Sequence, residues 1–205
     1  MMDGPGQRAA VPFLRALTHC TDHLDDLELF EVCTRGGEAE LNDLLRHATN
    51  RIVRPGQIVQ REQSRRGLIA RADLTLTDTG SGMLWAVIES KMVYSTDAVD
   101  AQGMWGPKFA KDVAKLTRIP DPNLPGFLLT WMPHFATLRR PLRYMRGHSA
   151  DGNGFAARRT VDEARAAVEG WLDTHGVRAP RVTIREADST DGHFTLDAYL
   201  TLIPR

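Results

Sequence analysis

Apolar and polar positions along the chain follow two periods, and the points where the period changes divide it into elements. "GGEAELNDLLRHATNRIVRPG" places Leu41, Leu44, Leu45, Ala48 and Ile52 at steps of 3, 1, 3 and 4 residues. That is one apolar stripe on a helix, which Pro55-Gly56 ends. Upstream, "VPFLRALTHCTDHLDDLELFEV" has looser helical spacing and predicts one or two short helices. The Gly/Pro-rich start, to about residue 9, reads as a mobile segment. Residues 1–35 are therefore expected to be a partly helical N-terminal extension, and residues 36–205 the main domain.

The period then drops to two. "QIVQREQ" fits a strand, "LIARADLTLT" alternates and is rich in β-formers, and "DTGSG" is a turn cluster before a second strand, "MLWAVIESKMV". "MWGPKFAKDVAKLTRI" returns to helical spacing with Phe109, Val113 and Leu116 inward, and "GFLLTWM" is a short apolar strand bounded by Pro125-Gly126 and Pro133. Residues 136–158, rich in Arg and Gly, read as a long basic loop. "TVDEARAAVEGWLDTHG" is an amphipathic helix with Thr160 as N-cap and Gly176 past its end. "RVTIREA" and "HFTLDAYLTLI" form a closing pair of strands. Trp85, Trp105, Trp131 and Trp171 lie on apolar faces and are assigned to the core. The order predicts an α/β domain with a mixed central sheet flanked by helices.

Composition narrows this little. The 205 residues are 42% hydrophobic and 25% charged, ordinary values for a soluble globular chain. The formal net charge is zero, so no global field draws the chain to nucleic acid or to a membrane, although local clusters still can. Cys20 and Cys33 form no CxxC pair, which suits a reducing cytoplasm. The start lacks a signal-like apolar run and no stretch reaches transmembrane length, so a cytoplasmic protein without a membrane partner is expected.

The chemistry concentrates in "RADLTLTDTGSGMLWAVIESK". If the two runs form an antiparallel hairpin centred near Ser81, Asp73 and Glu89 are equidistant from the turn and lie opposite each other, with β-carbons roughly 5 Å apart. Lys91 shares the face of Glu89 by the two-residue period. Two carboxylates that close repel unless one takes a proton or a cation lies between them. An oxygen-only set suits Mg²⁺ or Mn²⁺, held by Asp73 and Glu89. Such an ion polarises a phosphoryl oxygen and activates water, while Lys91 orients that water or offsets the developing charge. The plainer alternative is a surface Glu/Lys pair at a strand end.

Asp73 followed by Glu89-Ser90-Lys91 on the next strand resembles the PD-(D/E)XK nuclease superfamily, the restriction-endonuclease-like fold. The resemblance spans about residues 36–132 in element order. Members typically carry a helix with a further acid before the hairpin and another helix directly after the ExK strand. "GGEAELNDLL" resembles the acid-bearing helix of archaeal-type Holliday-junction resolvases, which implies that Glu38 is the third carboxylate, with Glu40 as runner-up. On a helical wheel Glu38 falls nearer the apolar stripe. Ala72 stands where many members have proline, and "QGMWG" lacks the Gln-x-x-x-Tyr tyrosine of the RecB-like branch.

The implied activity is metal-dependent endonucleolytic hydrolysis of phosphodiesters, DNA favoured over RNA, by Glu38, Asp73, Glu89 and Lys91. A homodimer or a partner subunit is compatible with that family. Nucleic acid is expected along Lys108, Lys111 and Lys115, with Lys111 nearest the metal, and on Arg139, Arg140 and Arg143 of the basic loop. The "REQSRR" cluster (Arg61, Arg65, Arg66) is a further candidate grip. Asp112 is expected to pair with Lys108 or Lys115. The competing reading is a catalytically inactive nucleic-acid- or partner-binding module on the same fold. "HCTDH" has too few ligands for zinc, and "DTGSG" serves better as a turn than as a protease motif.

Overall fold

A computed structural model describes residues 4–35, 37–65, 69–100, 102–138 and 159–204. Three helices come first: α1 (Gly4–Leu17), α2 (Asp26–Thr34) and α3 (Glu38–Asn50). Strands β1 (Gln57–Arg65), β2 (Ile69–Asp78) and β3 (Leu84–Met92) follow, then α4 (Ser95–Asp100), α5 (Gln102–Thr117) and β4 (Gly126–Leu138). The chain closes with α6 (Val161–Asp173), β5 (Val177–Arg178), β6 (Val182–Ser189) and β7 (Gly192–Ile203).

The strands make one seven-stranded sheet in the order β1-β2-β3-β4-β7-β5, with β6 also paired to β7. β3 and β4 are parallel and the remaining pairs antiparallel, so the sheet is mixed. The parallel pair needs a crossover, supplied by α4 and α5. Helices cover both faces. On one, Phe13, Leu17, Leu29, Phe30, Leu41 and Leu45 pack against Leu74, Ile88, Phe127 and Trp131. On the other, Phe109, Leu116, Val168 and Leu172 pack against Val87, Leu128 and Tyr199. Among the described residues, no helix is long and apolar enough to cross a membrane.

Several expectations are corrected. The Gly/Pro-rich start is helical from Gly4, where α1 begins, and Ala9 and Ala10 are buried. Pro5 falls in the first turn, where a missing N–H costs nothing. Nor do α1 and α2 stand apart from the main domain, since Phe13, Leu17, Phe30 and Cys33 are fully buried in its first core cluster.

β4 does not stop at Pro133 but runs on to Leu138, with Pro133 paired opposite Leu196 of β7. Trp131 turns its carbonyl toward Val93 N on the β3 side, and Pro133, two residues on, shares that orientation. β3 has ended there at Met92, so the absent proline N–H breaks no ladder. β4 thus takes in residues 136–138 of the expected loop. Residues 139–158, with Arg139, Arg140 and Arg143, lie outside the described residues, as does Arg66. Trp85 is exposed rather than core, and Ile52 is exposed beyond the apolar stripe of α3.

Local signals elsewhere act as read. Thr160 caps α6 in a reciprocal box with Glu163, and Gly176 N closes onto Leu172 O past its end. In the hairpin turn, Asp78 accepts hydrogen bonds from Ser81 N and Ser81 Oγ, which hold its carboxyl below the usual range and make it a turn residue.

Because α1 is part of the first core cluster, Phe13→Ala should destabilise the whole domain by about 3–5 kcal/mol. Urea unfolding should show one shifted cooperative transition, whereas a separate extension would leave the main transition unchanged.

Candidate functional site

Backbone pairing between β2 and β3 follows Leu74↔Ile88, Thr75↔Val87 and Leu76↔Ala86 and then stops, although both strands continue. This is the register that sets Asp73 against Glu89. The turn itself is offset: Thr77 pairs with Leu84, and a bulge with Trp85 as its extra residue restores the count.

Where the ladder ends, β3 still has N–H groups to satisfy. Val87 and Val93 donate to β4, at Trp131 O for Val93 and at Pro125 O just before the strand for Val87. Ser90 and Met92 point the other way, toward the place β2 has left. Carboxylates take over: Asp73 Oδ2 accepts Ser90 N at 2.7 Å, and Glu38 Oε2 accepts Met92 N at 2.9 Å. These bonds draw Asp73 and Glu38, 35 residues apart in sequence, to the same short stretch of β3.

Glu38 is delivered by the first turn of α3. The preceding Gly37 has no room for a side chain, since a Cβ there would lie 2.5 Å from Val32 O. Glu40, on the same turn, is exposed. Asn42, one turn further along α3, and Ser90 both accept from the buried indole of Trp131, at 3.0 and 3.1 Å. That polar tie locks α3 to the strand bearing Glu89.

The other face adds α5. Lys115 Nζ lies 2.7 Å from Glu89 Oε1 and also donates to Arg71 O. Lys91 Nζ lies 3.1 Å from Asp112 Oδ2 and donates to Ser90 O at 2.8 Å. Asp112 therefore pairs with Lys91 of β3, not with a lysine of its own helix. Lys115 turns inward to an acid, while Lys108 and Lys111 remain exposed on α5. Arg61 of the "REQSRR" cluster is engaged by Asp43. Spacing alone did not reveal Asp112 or Lys115 as members of the acidic group. The available signal was their three-residue separation, which puts both on one face of α5.

The group holds four acids (Glu38, Asp73, Glu89, Asp112) and two lysines, and its members feel one another. Burial pushes the Glu89 carboxyl up to about 7, with Asp73 and Asp112 adding to the rise and Lys115 opposing it. Burial also raises Glu38, against the pull of Lys91 and the Met92 N–H. Burial alone would lower the Lys91 ammonium, but Asp112, Glu38 and Asp73 together hold it above its ordinary value.

Among the described residues no three His, Cys, Asp or Glu converge as a ready cation cage. The donor set nonetheless suits a hard divalent ion. It is all oxygen, and Glu89 Oε1 and Asp112 Oδ2 are buried with ammonium neighbours but no well-aligned hydrogen bond. Lys115 supplies the positive charge that Glu89 requires, so an ion held by Asp73 and Glu89 would have to displace that ammonium.

Glu89 gives the site a pH signature. Its folded pKa exceeds the unfolded value of about 4.3, so its contribution to stability is full below that value and is lost as pH rises through 7. Glu89→Gln is neutral at every pH. The variant should therefore gain on the wild type by about 2–3 kcal/mol between pH 4.5 and 8, measured by urea unfolding at both pH values. A constant difference would identify Glu89 as an ordinary solvated carboxylate. In comparisons with known proteins, no protein family, curated protein or solved structure matches this chain.

Proposed function

We propose that the chain is a metal-dependent nuclease of the PD-(D/E)XK type, with a restriction-endonuclease-like core, acting on phosphodiesters of nucleic acid and on DNA in preference to RNA. The observation that carries the reading is the meeting of Glu38, Asp73, Glu89 and Lys91 where β2 and β3 part, with α3 before the hairpin and α5 after it. Asp73 and Glu89 would hold Mg²⁺ or Mn²⁺. The bound ion would supply a Lewis acid toward the phosphoryl oxygen and lower the pKa of a water.

The chain's own residues have distinct tasks in this reading. Asp73 and Glu38 stiffen the edge of β3 through its amide groups, so the carboxylates sit on a strand rather than a loop. Lys91, kept charged by three acids, offers a donor toward an attacking water or the developing phosphorane charge. Asp112 aims that ammonium from α5. Lys108 and Lys111, exposed on the same helix, are available to phosphates. Lys115 is the built-in counter-charge of Glu89, and it limits how tightly an ion binds.

The competing reading, a binding module without chemistry, gains support from the same ion pairs, because every acid of the group already has a partner within the chain. Calorimetric titration with Mn²⁺ and cleavage assays on supercoiled, single-stranded and branched DNA and on RNA separate the two. The nuclease reading expects cleavage that needs Mg²⁺ or Mn²⁺ and is lost in Asp73→Ala and Lys91→Ala, with Mn²⁺ binding lost in Asp73→Ala. Cleavage at the wild-type rate by either variant sinks it. Lys115→Gln, which removes the competing ammonium, should bind Mn²⁺ about tenfold more tightly, equivalent to ~1.4 kcal/mol.

A further inference from the structure

A second surface is built from residues that the acid group does not use. α1 presents Arg8, Val11, Pro12 and Arg15 at steps of three, one and three residues, which is one helical face. Opposite them lie Ile52 and Arg54, from the segment following α3, and Trp85 of β3. Together they line a cleft of about 270 Å³.

Trp85 is the extra residue of the β3 bulge, and bulges re-aim a side chain. Leu84 packs with the core cluster on the α5 face and Ala86 with the one on the α1 face, so the alternation of the strand breaks at Trp85. The bulge thereby turns the indole into the cleft, where it is 38% exposed. Val11 and Ile52 are exposed beside it.

Charge identifies the occupant. Arg8, Arg15 and Arg54 all line the cleft, no acid does, and none of the three has an ion-pair partner among the described residues. In a chain of zero net charge this is a local cluster without ion-pair partners among the described residues. Guanidinium groups around an exposed indole match a ligand that alternates anionic groups with flat rings. The geometry points to a single-stranded nucleic-acid subsite, with one base against Trp85 and neighbouring phosphates on Arg8, Arg15 and Arg54. An acidic peptide would satisfy the arginines but leave the indole without a stacking partner. Trp85 precedes Glu89 by four residues of β3, about 13 Å. A strand held in the cleft would thus lie within a few nucleotides of the acids, yet holding it requires no chemistry there.

The test is fluorescence anisotropy of a labelled dT12 oligonucleotide on the full chain in EDTA, at salt from 50 to 200 mM. Wild type should bind. Trp85→Ala should weaken binding about tenfold, with most of it recovered in Trp85→Phe. The triple variant Arg8→Gln, Arg15→Gln, Arg54→Gln should lose about two units from the salt slope, as expected for three phosphates of a single strand. All four positions are exposed, so matching circular dichroism and urea midpoints verify the fold.

No dT12 binding by wild type, wild-type affinity in both the Trp85→Ala and triple-arginine proteins, or displacement by poly-glutamate at equal charge overturns the subsite. The dT12 measurement is made in EDTA, where no metal-dependent cleavage can contribute to it. Loss of the nuclease reading would therefore leave the subsite standing, and failure of the subsite would leave cleavage to be judged by its own assay.

Discussion

A slip of one residue between β2 and β3 would send Asp73 to the opposite face from Glu89, because side chains on a strand alternate with a period of two. The acid group depends on that register. It is held by three backbone pairs, Leu74↔Ile88, Thr75↔Val87 and Leu76↔Ala86, and by the buried faces of Leu74, Leu76, Ala86 and Ile88. Beyond them Asp73 substitutes its carboxylate for a missing ladder partner at Ser90 N, so the acid that marks the site also terminates the pairing. The bulge at Trp85 belongs to the same constraint, since it reconciles a tight turn with the register and, in doing so, aims an indole outward.

Gathering four carboxylates, one buried and three half-buried, is costly unless charge is supplied. Two lysines from different elements supply it: Lys91 from β3 toward Asp112, and Lys115 from α5 toward Glu89. Burial above all, with Asp73 and Asp112 adding to it, pushes the Glu89 carboxyl up to about 7, and Lys115 offsets that rise only in part. Trp131, bonded to both Asn42 and Ser90, keeps the two sides of the cluster from separating.

The two inferred surfaces share β3. One end of the strand meets α3 and α5 through acids and lysines, and the other places its indole in a cleft lined by two arginines of α1 and by Arg54. That arrangement makes α1 more than a cover for the core, because its buried face carries Phe13 and its other face carries Arg8 and Arg15.

Most elements were legible in the sequence because their signals are local. The stripe of α3, the Thr160 cap, the Asp78–Gly82 turn and the alternation of β2 are each written within a few residues. That Glu89 and Lys91 share a face was also legible, since strand period is short-range arithmetic, but the symmetric turn expected to bring Asp73 opposite them was not found: the register is recovered through the bulge at Trp85. Long-range packing decided the rest. It drew α1 into the core, carried β4 through Pro133 where β3 no longer needs a donor, and exposed Trp85. It also turned Lys115 and Asp112 inward to partners more than twenty residues away. Whether a charged side chain on a helix points to water or to an opposite charge depends on what the fold sets beside it, and that neighbour is not written in the helix's own spacing.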